Sequence, residues 1–241
     1  MENNLPVYKR IILKLSGEAL LGDKAYGVDV SVINNIADQV VVLWKRGIEI
    51  GIVIGGGNIF RGSEGEELNI DRATADYMGM LATEINALAL QSSLIAHGID
   101  TRVMSSLSLV EIAEPYILAK ALSHFKKERI IIFAGGTGLP FFTTDTTAAL
   151  RAIELKADAI FKATKVDAIY SDDPLKNKNA KRYEEISYTE FLSKNLRAMD
   201  STAISLCRDY NMPIILFNIK GRDNLLKAVL EGVIGTIIKE G

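Results

Sequence analysis

The stretch Ile50–Gly62, IGIVIGGGNIFRG, decides how the rest of the chain is read. A continuous apolar run stops at three glycines, and then come Asn58, two apolar residues, Arg61 and Gly62. A short apolar run bounded by glycine reads as a strand buried on both faces, as in a parallel sheet. Glycines at its end leave backbone N–H groups open to close approach, and the nearby Arg61 points to an anion.

Working outward, short apolar runs alternate with longer amphipathic ones. RIILKLSG precedes the stretch as a strand ending in a turn. SVINNIADQVVVLWKRG has helical spacing, with Ser31 as candidate N-cap and Gly47 as stop. RATADYMGMLATEINALALQSSLIAHG is a long helical pattern stopped by Gly98, and DTRVMSS is a short strand. Pro115 opens the helical pattern PYILAKALSHFKKE, where a first-turn proline is tolerated. RIIIFAGGTG, DAIFKATK, MPIILFNI and GTIIK read as further strands. DTTAALRAIELKA, with Asp145 as candidate N-cap, MDSTAISLCRDYN and DNLLKAVLEG read as helices. Such alternation predicts one α/β domain over residues 1–241, a three-layer αβα sandwich with a mainly parallel central sheet. The polar stretch YSDDPLKNKNAKRYEEIS reads as a surface excursion.

Composition narrows the function classes. The 241 residues are 48% hydrophobic and 24% charged, with a net charge of −2. That balance and the absence of like-charge runs argue against a nucleic-acid partner. The single cysteine, Cys207, excludes an intrachain disulfide and fits a reducing cytoplasm. MENNLPVYKRIILKLSGEAL lacks a long apolar core behind a basic start and does not read as a signal peptide. No apolar stretch approaches the roughly 20 residues of a membrane span.

Three strand ends carry glycine: Ser16-Gly17, Gly55-Gly56-Gly57 and Gly135-Gly136-Thr137-Gly138. Ligands of parallel α/β sheets sit beyond these carboxyl ends, so a phosphate cradle and plain turn chemistry are the two readings. No Gly-Lys dipeptide occurs, which excludes a P-loop. Counting from Gly55 the last position of G-x-G-x-x-G is Phe60, and from Gly136 it is Phe141, so the dinucleotide fingerprint fails and nicotinamide chemistry recedes. The two histidines, His97 and His124, lie near helix ends and read as polar termini. Zinc-ligand spacing is missing, and Cys207 reads as a small core residue.

Lys14 stands between two apolar residues at the end of the first strand. Burying it is costly unless an anion meets it, the alternative being an edge lysine reaching solvent. Arg61 either forks onto a phosphate or is an ordinary surface arginine. Asp76 either accepts from sugar hydroxyls or is a solvated helix carboxylate, and Asp173 is either a ligand contact or turn chemistry.

LKLSGEAL, GGGNIFRG, DYMGMLAT, GTGLPFFTTDT and KATKVDAIYSDDP, in this order, together resemble the bacterial uridylate (UMP) kinases of the amino-acid kinase superfamily. The resemblance spans nearly the whole chain. It implies transfer of a phosphoryl group from ATP to UMP, with Mg²⁺. Lys14, Leu15, Ser16 and Gly17 would line the ATP phosphates, together with Gly57 and Arg61. Thr164, Tyr170 and Asp173 would hold the ATP nucleoside. Gly56 would touch UMP, Asp76 its ribose, and Thr137, Gly138, Leu139, Pro140, Phe141, Phe142, Thr143 and Thr144 its base and phosphate. Relatives often carry Asn where this chain has Leu139, so a polar contact to uracil there would come from backbone or from Thr137. Asp200 would orient the catalytic lysine, with Lys162 and Lys165 as further candidates at the transferring phosphoryl. The family's hexameric assembly, its activation by GTP and its inhibition by UTP are implied as well. Gly22, Asp23, Lys24, Ala25, Tyr26 and Gly27 match a region linked to the GTP response. Two rivals remain: an amino-acid kinase acting on a carboxylate or carbamate, and a non-catalytic nucleotide-binding regulator.

Overall fold

The computed structural model describes residues 8–60, 69–172, 174, 176, 177, 179–221, 223–232 and 234–240. In chain order the elements begin with β1 (Arg10–Leu15), a 3-10 turn (Gly17–Leu20), α1 (Val30–Lys45), β2 (Glu49–Ile54) and α2 (Arg72–Ala96). Then come β3 (Thr101–Ser105), β4 (Glu114–Pro115), α3 (Leu118–Lys126), β5 (Ile130–Ala134), α4 (Thr144–Glu154) and β6 (Ala159–Thr164). The remainder is β7 (Ile169–Tyr170), β8 (Arg182–Tyr183), β9 (Glu185–Ser187), α5 (Tyr188–Ser193), α6 (Ser201–Asp209), β10 (Ile214–Asn218), α7 (Asn224–Leu226) and β11 (Thr236–Lys239). Helix α7 runs on into a π-helical turn over Lys227–Glu231.

The main sheet has the order β4-β3-β5-β2-β1-β6-β10-β11-β9. All neighbouring pairs run parallel except β10 with β11. Each central strand is buried on both faces because each face carries its own apolar cluster. Ile11, Leu13 and Leu15 pack under α1, α2 and α7, whereas Ile12 packs under α3 through α6. The predicted three layers are therefore present. Gly47 (φ +83°) and Gly98 (φ +80°) end α1 and α2 in the left-handed conformation, as their positions implied.

Local details differ from the sequence reading. Helix α1 is capped by Asp29, not Ser31: Asp29 Oδ1 accepts from Ser31 N at 2.8 Å and from Val32 N at 3.4 Å. Helix α4 is capped by Thr143, which releases Asp145 for another task. Pro115 does not open a helix. It ends the short edge strand β4, where a missing N–H is tolerated, and α3 starts at Leu118. The polar stretch from Tyr170 to Ser187 contains β8, which pairs antiparallel with β7, and ends in β9.

Asp29→Ala is expected to cost about 1 kcal/mol of stability, the usual worth of an N-cap, while Ser31→Ala stays within a few tenths. Thermal or denaturant unfolding of both variants checks which residue is the cap.

Candidate active site

Strands β1 and β6 pair in parallel with Lys14 opposite Lys162, which sets two lysines side by side on one face of the sheet. Like charges so placed repel, and both residues are only 6% exposed. Asp145, in the first turn of α4, lies between them. It meets Lys14 Nζ at 2.9 Å through Oδ1 and bonds Lys162 Nζ through Oδ2. Burial pushes the Asp145 carboxyl up, but attraction to the two lysines outweighs this and holds it at about 2, against an ordinary 3.8. Burial, aided by the like charge of Lys14, outweighs the pull of Asp145 and brings Lys162 below its usual value. Asp200 adds a second, more distant negative charge that acts on Lys162. The anion that the isolated Lys14 called for is thus partly internal.

The glycines beside this cluster serve size first. A Cβ on Gly17 would stand 2.6 Å from Gly57 N, and one on Gly55 would stand 2.8 Å from Gly17 N. The two glycine turns therefore interlock backbone to backbone. Gly56 presses on α2, where a Cβ would come within 2.6 Å of Gly79 O. The buried Asn58 locks the turn. Its side chain exchanges hydrogen bonds with Asn86 and donates to Gly27 O at 2.8 Å, while Asn86 donates to Gly55 O at 2.7 Å. Gly135, Gly136 and Gly138, in contrast, have φ of +71°, +56° and +79°, so that turn requires glycine for conformation.

Two cavities meet at Gly56, Gly57 and Thr144. The smaller, about 140 Å³, is lined also by Phe60, Asp76, Met80, Thr83, Gly136 and Phe142. Asp76 Oδ2 accepts from Phe141 N at 2.7 Å, and its Oδ1 pairs with Arg72 at 2.9 Å. Phe141 is held at φ +70°, a strained conformation for a bulky residue. Of the segment Thr137–Thr144, Phe142 and Thr144 line this cavity, and Leu139, Phe141 and Phe142 are exposed. Thr137 Oγ1 bonds both N and O of Leu139, each at 3.1 Å.

The larger cavity, about 1090 Å³, takes in Lys14, Ser16, Gly17, Lys162, Thr164 and Tyr170. Lys165 also lines it, paired with Glu18 at 3.2 Å. The structure thus separates Lys162, inside the cluster, from Lys165, outside it. Leu15 turns its side chain into the core and lends only its carbonyl, which accepts from Gly55 N at 2.8 Å. Asp200 caps α6 and accepts from Thr143 and Thr146; the carboxylate in direct contact with Lys14 is Asp145, and Asp200 acts on Lys162 through its charge. Residues 22–27 lie beside the glycine turn, with Gly27 N donating to Asn58 O at 2.9 Å. Arg61 and Asp173 lie outside the described residues.

Sequence reasoning missed Asp145, Asn58, Asn86 and the wall of the larger cavity from Lys194 to Ala198. The available signal for Asp145 was a threonine pair, Thr143 and Thr144, offering a cap just ahead of it. Among the described residues no group of three or more His, Cys, Asp or Glu could hold a metal ion. No described helix is long and apolar enough to cross a membrane.

Because the folded-state value of Asp145 is depressed, its ion pairs contribute stability above about pH 4 that is lost as pH falls toward about 2. Asp145→Asn is expected to be less stable at neutral pH and to show a shallower loss across that window. Acid titration of unfolding free energy for both proteins checks this.

The family model for the amino acid kinase family matches residues 9–218. Among solved structures, a UMP kinase from Bacillus anthracis is similar at 41% identity and a TM-score of 0.93, over 97% of this chain and 96% of that one. A UMP kinase from Ureaplasma parvum matches at 36% identity and 0.92, over 96% and 99%. A uridylate kinase from Archaeoglobus fulgidus matches at 26% identity and 0.74, over 95% and 99%. With its fold and its lysine–glycine cluster in place, this chain belongs to the amino acid kinase family.

Proposed function

We propose that the protein is a UMP kinase, transferring the γ-phosphoryl of ATP to UMP to give ADP and UDP in pyrimidine nucleotide biosynthesis. The observation that carries this reading is the junction of two cavities at Gly56, Gly57 and Thr144, beside the Lys14–Lys162 pair. Two phosphate groups brought in from opposite sides meet there. The kinship with proteins named UMP kinases over nearly the full chain supplies the substrates.

The attacking atom is an oxygen of the UMP phosphate, which is already ionised near neutral pH, so no general base is needed. The barrier is the approach of two polyanions, and catalysis is positioning and charge neutralisation. Lys14 and Lys162 face the transferring group. Arg61 adds a fork for phosphate on this reading. Asp145 holds both lysines at the spacing they need. Asp76 accepts from the ribose hydroxyls with its remaining lone pairs. Thr164, Tyr170 and Asp173 hold the ATP nucleoside. Mg²⁺ fits as an ion carried by the triphosphate, because Asp145 is committed to two lysines; when bound it neutralises phosphate charge.

We assign the whole chain to one such unit working in the cytoplasm. The exposed apolar row Tyr77, Leu81 and Ile85 on α2 supports assembly of copies, as a homohexamer. Contact between Gly27 and Asn58 supports a route from residues 22–27 to the glycine turn for GTP activation. UTP inhibition follows from its shared base with UMP.

Incubation with ATP, Mg²⁺ and each of UMP, CMP, dUMP, acetylglutamate and aspartate tests the reading. UDP formation from UMP is expected, and turnover of another acceptor instead would overturn it. Lys14→Ala is expected to lower kcat by about 100-fold or more with KM for UMP little changed, the pattern of an interaction made in the transition state. Asp76→Asn is expected to raise KM for UMP and leave KM for ATP unchanged, and the reverse would refute its role.

A further inference from the structure

Glu84, on α2, is a buried acid that the mechanism above does not use. It is 3% exposed. Its Oε1 accepts from Ser105 Oγ at the end of β3, and Ser105 Oγ in turn accepts from Leu107 N at 2.9 Å. Its Oε2 has no hydrogen-bond partner among the described residues. Burial pushes the carboxyl up, and the bond from Ser105 only partly opposes this.

The neighbouring Thr83 grips the other strand end. Its Oγ1 accepts from Gly135 N at 2.8 Å and donates to Met80 O at 2.6 Å. Glu84, Ser105 and Gly135 are in mutual contact. A Cβ on Gly135 would lie 3.0 Å from Ser105 Oγ and 3.1 Å from Glu84 Oε1. One residue further on, Ser106 Oγ donates to Gly136 O at 2.9 Å. A single turn of α2 thus clasps the ends of β3 and β5, and Thr83, Met80 and Gly136 line the smaller cavity.

A carboxyl with one unpaired buried oxygen is a costly way to fill space. What it supplies that an apolar side chain would not is the bond to Ser105. Resting on the UMP kinase reading, we propose that Glu84 is a positioning residue for the acceptor. Through Ser105 it holds the Ser105–Leu107 segment against Gly135 and so sets the seat of the nucleoside monophosphate.

The test is initial-rate kinetics with each substrate varied, together with melting temperature, for wild type, Glu84→Ala, Glu84→Gln and Ser105→Ala. Glu84→Ala and Ser105→Ala are expected to raise KM for UMP about fivefold or more, with kcat and KM for ATP within about twofold. Glu84→Gln should stay near wild type, because its amide oxygen still accepts from Ser105. The proposal is overturned if KM for UMP is unchanged while the melting temperature falls, if KM for ATP rises equally, or if Gln rescues no better than Ala. Should Glu84→Ala fail to fold, Ser105→Ala breaks the same bond from the other side. Wild type that forms no UDP takes down both readings; wild type that does, with flat KM values in the variants, takes down only this one.

Discussion

The carboxylate of Asp145 between Lys14 and Lys162 is the contact on which the molecule turns. Parallel pairing of β1 with β6 forces the two ammonium groups together on a buried face. Without an anion between them, that register would be penalised by repulsion and desolvation at once. The anion comes from the first turn of α4, which Thr143 caps. Register, helix start and charge therefore constrain one another. A buried ion cluster is not a strong source of stability, and on the proposed reading its value is geometric: it holds two cations at fixed positions where phosphate charge is to be met.

Around that cluster the backbone does what side chains cannot. The turns after β1 and β2 approach closely enough that neither Gly17 nor Gly55 has room for a methyl group. This places both residues in the wall of the larger cavity. The turn after β5 uses glycine differently, reversing the chain through left-handed conformations so that Thr137–Thr144 folds back over α2. Asp76 secures the reversal at Phe141, and Thr83 secures it at Gly135. Helix α2 is accordingly the frame for one side of the site, and β6 with the segment Lys194–Ala198 frames the other.

Much of this was legible in the amino-acid sequence, for physical reasons. Buried strands are continuous apolar runs, so the alternation of β and α and the three layers could be read directly. Lys14 stood out because a lysine inside such a run needs an explanation. Asp145 did not, because an acid early in a helix has a local explanation as a cap, and only the register of β1 against β6 reveals its partners. Pro115 misled for a similar reason: a first-turn proline and an edge-strand proline leave the same local signature. Glu84 has no local signal in the sequence, because its contact with Ser105 depends on how α2 docks on β3. Contacts between distant segments are set by packing, which a local pattern does not encode.

The order of the site along the chain has its own consequence. Residues lining the smaller cavity fall between Gly56 and Thr144, whereas those lining only the larger cavity, apart from Lys14, Ser16, Gly17, Glu18 and Gly55, fall between Lys162 and Ala198. The Asp145–Lys162 contact sits at the seam. On the proposed reading, acceptor and donor preferences are written in separate, consecutive stretches of the gene. A genetic crossover near β6 would exchange one preference while leaving the other whole. The fold is in this sense modular in inheritance although continuous in space: its two binding halves can drift apart in evolution as long as the shared charge cluster is kept.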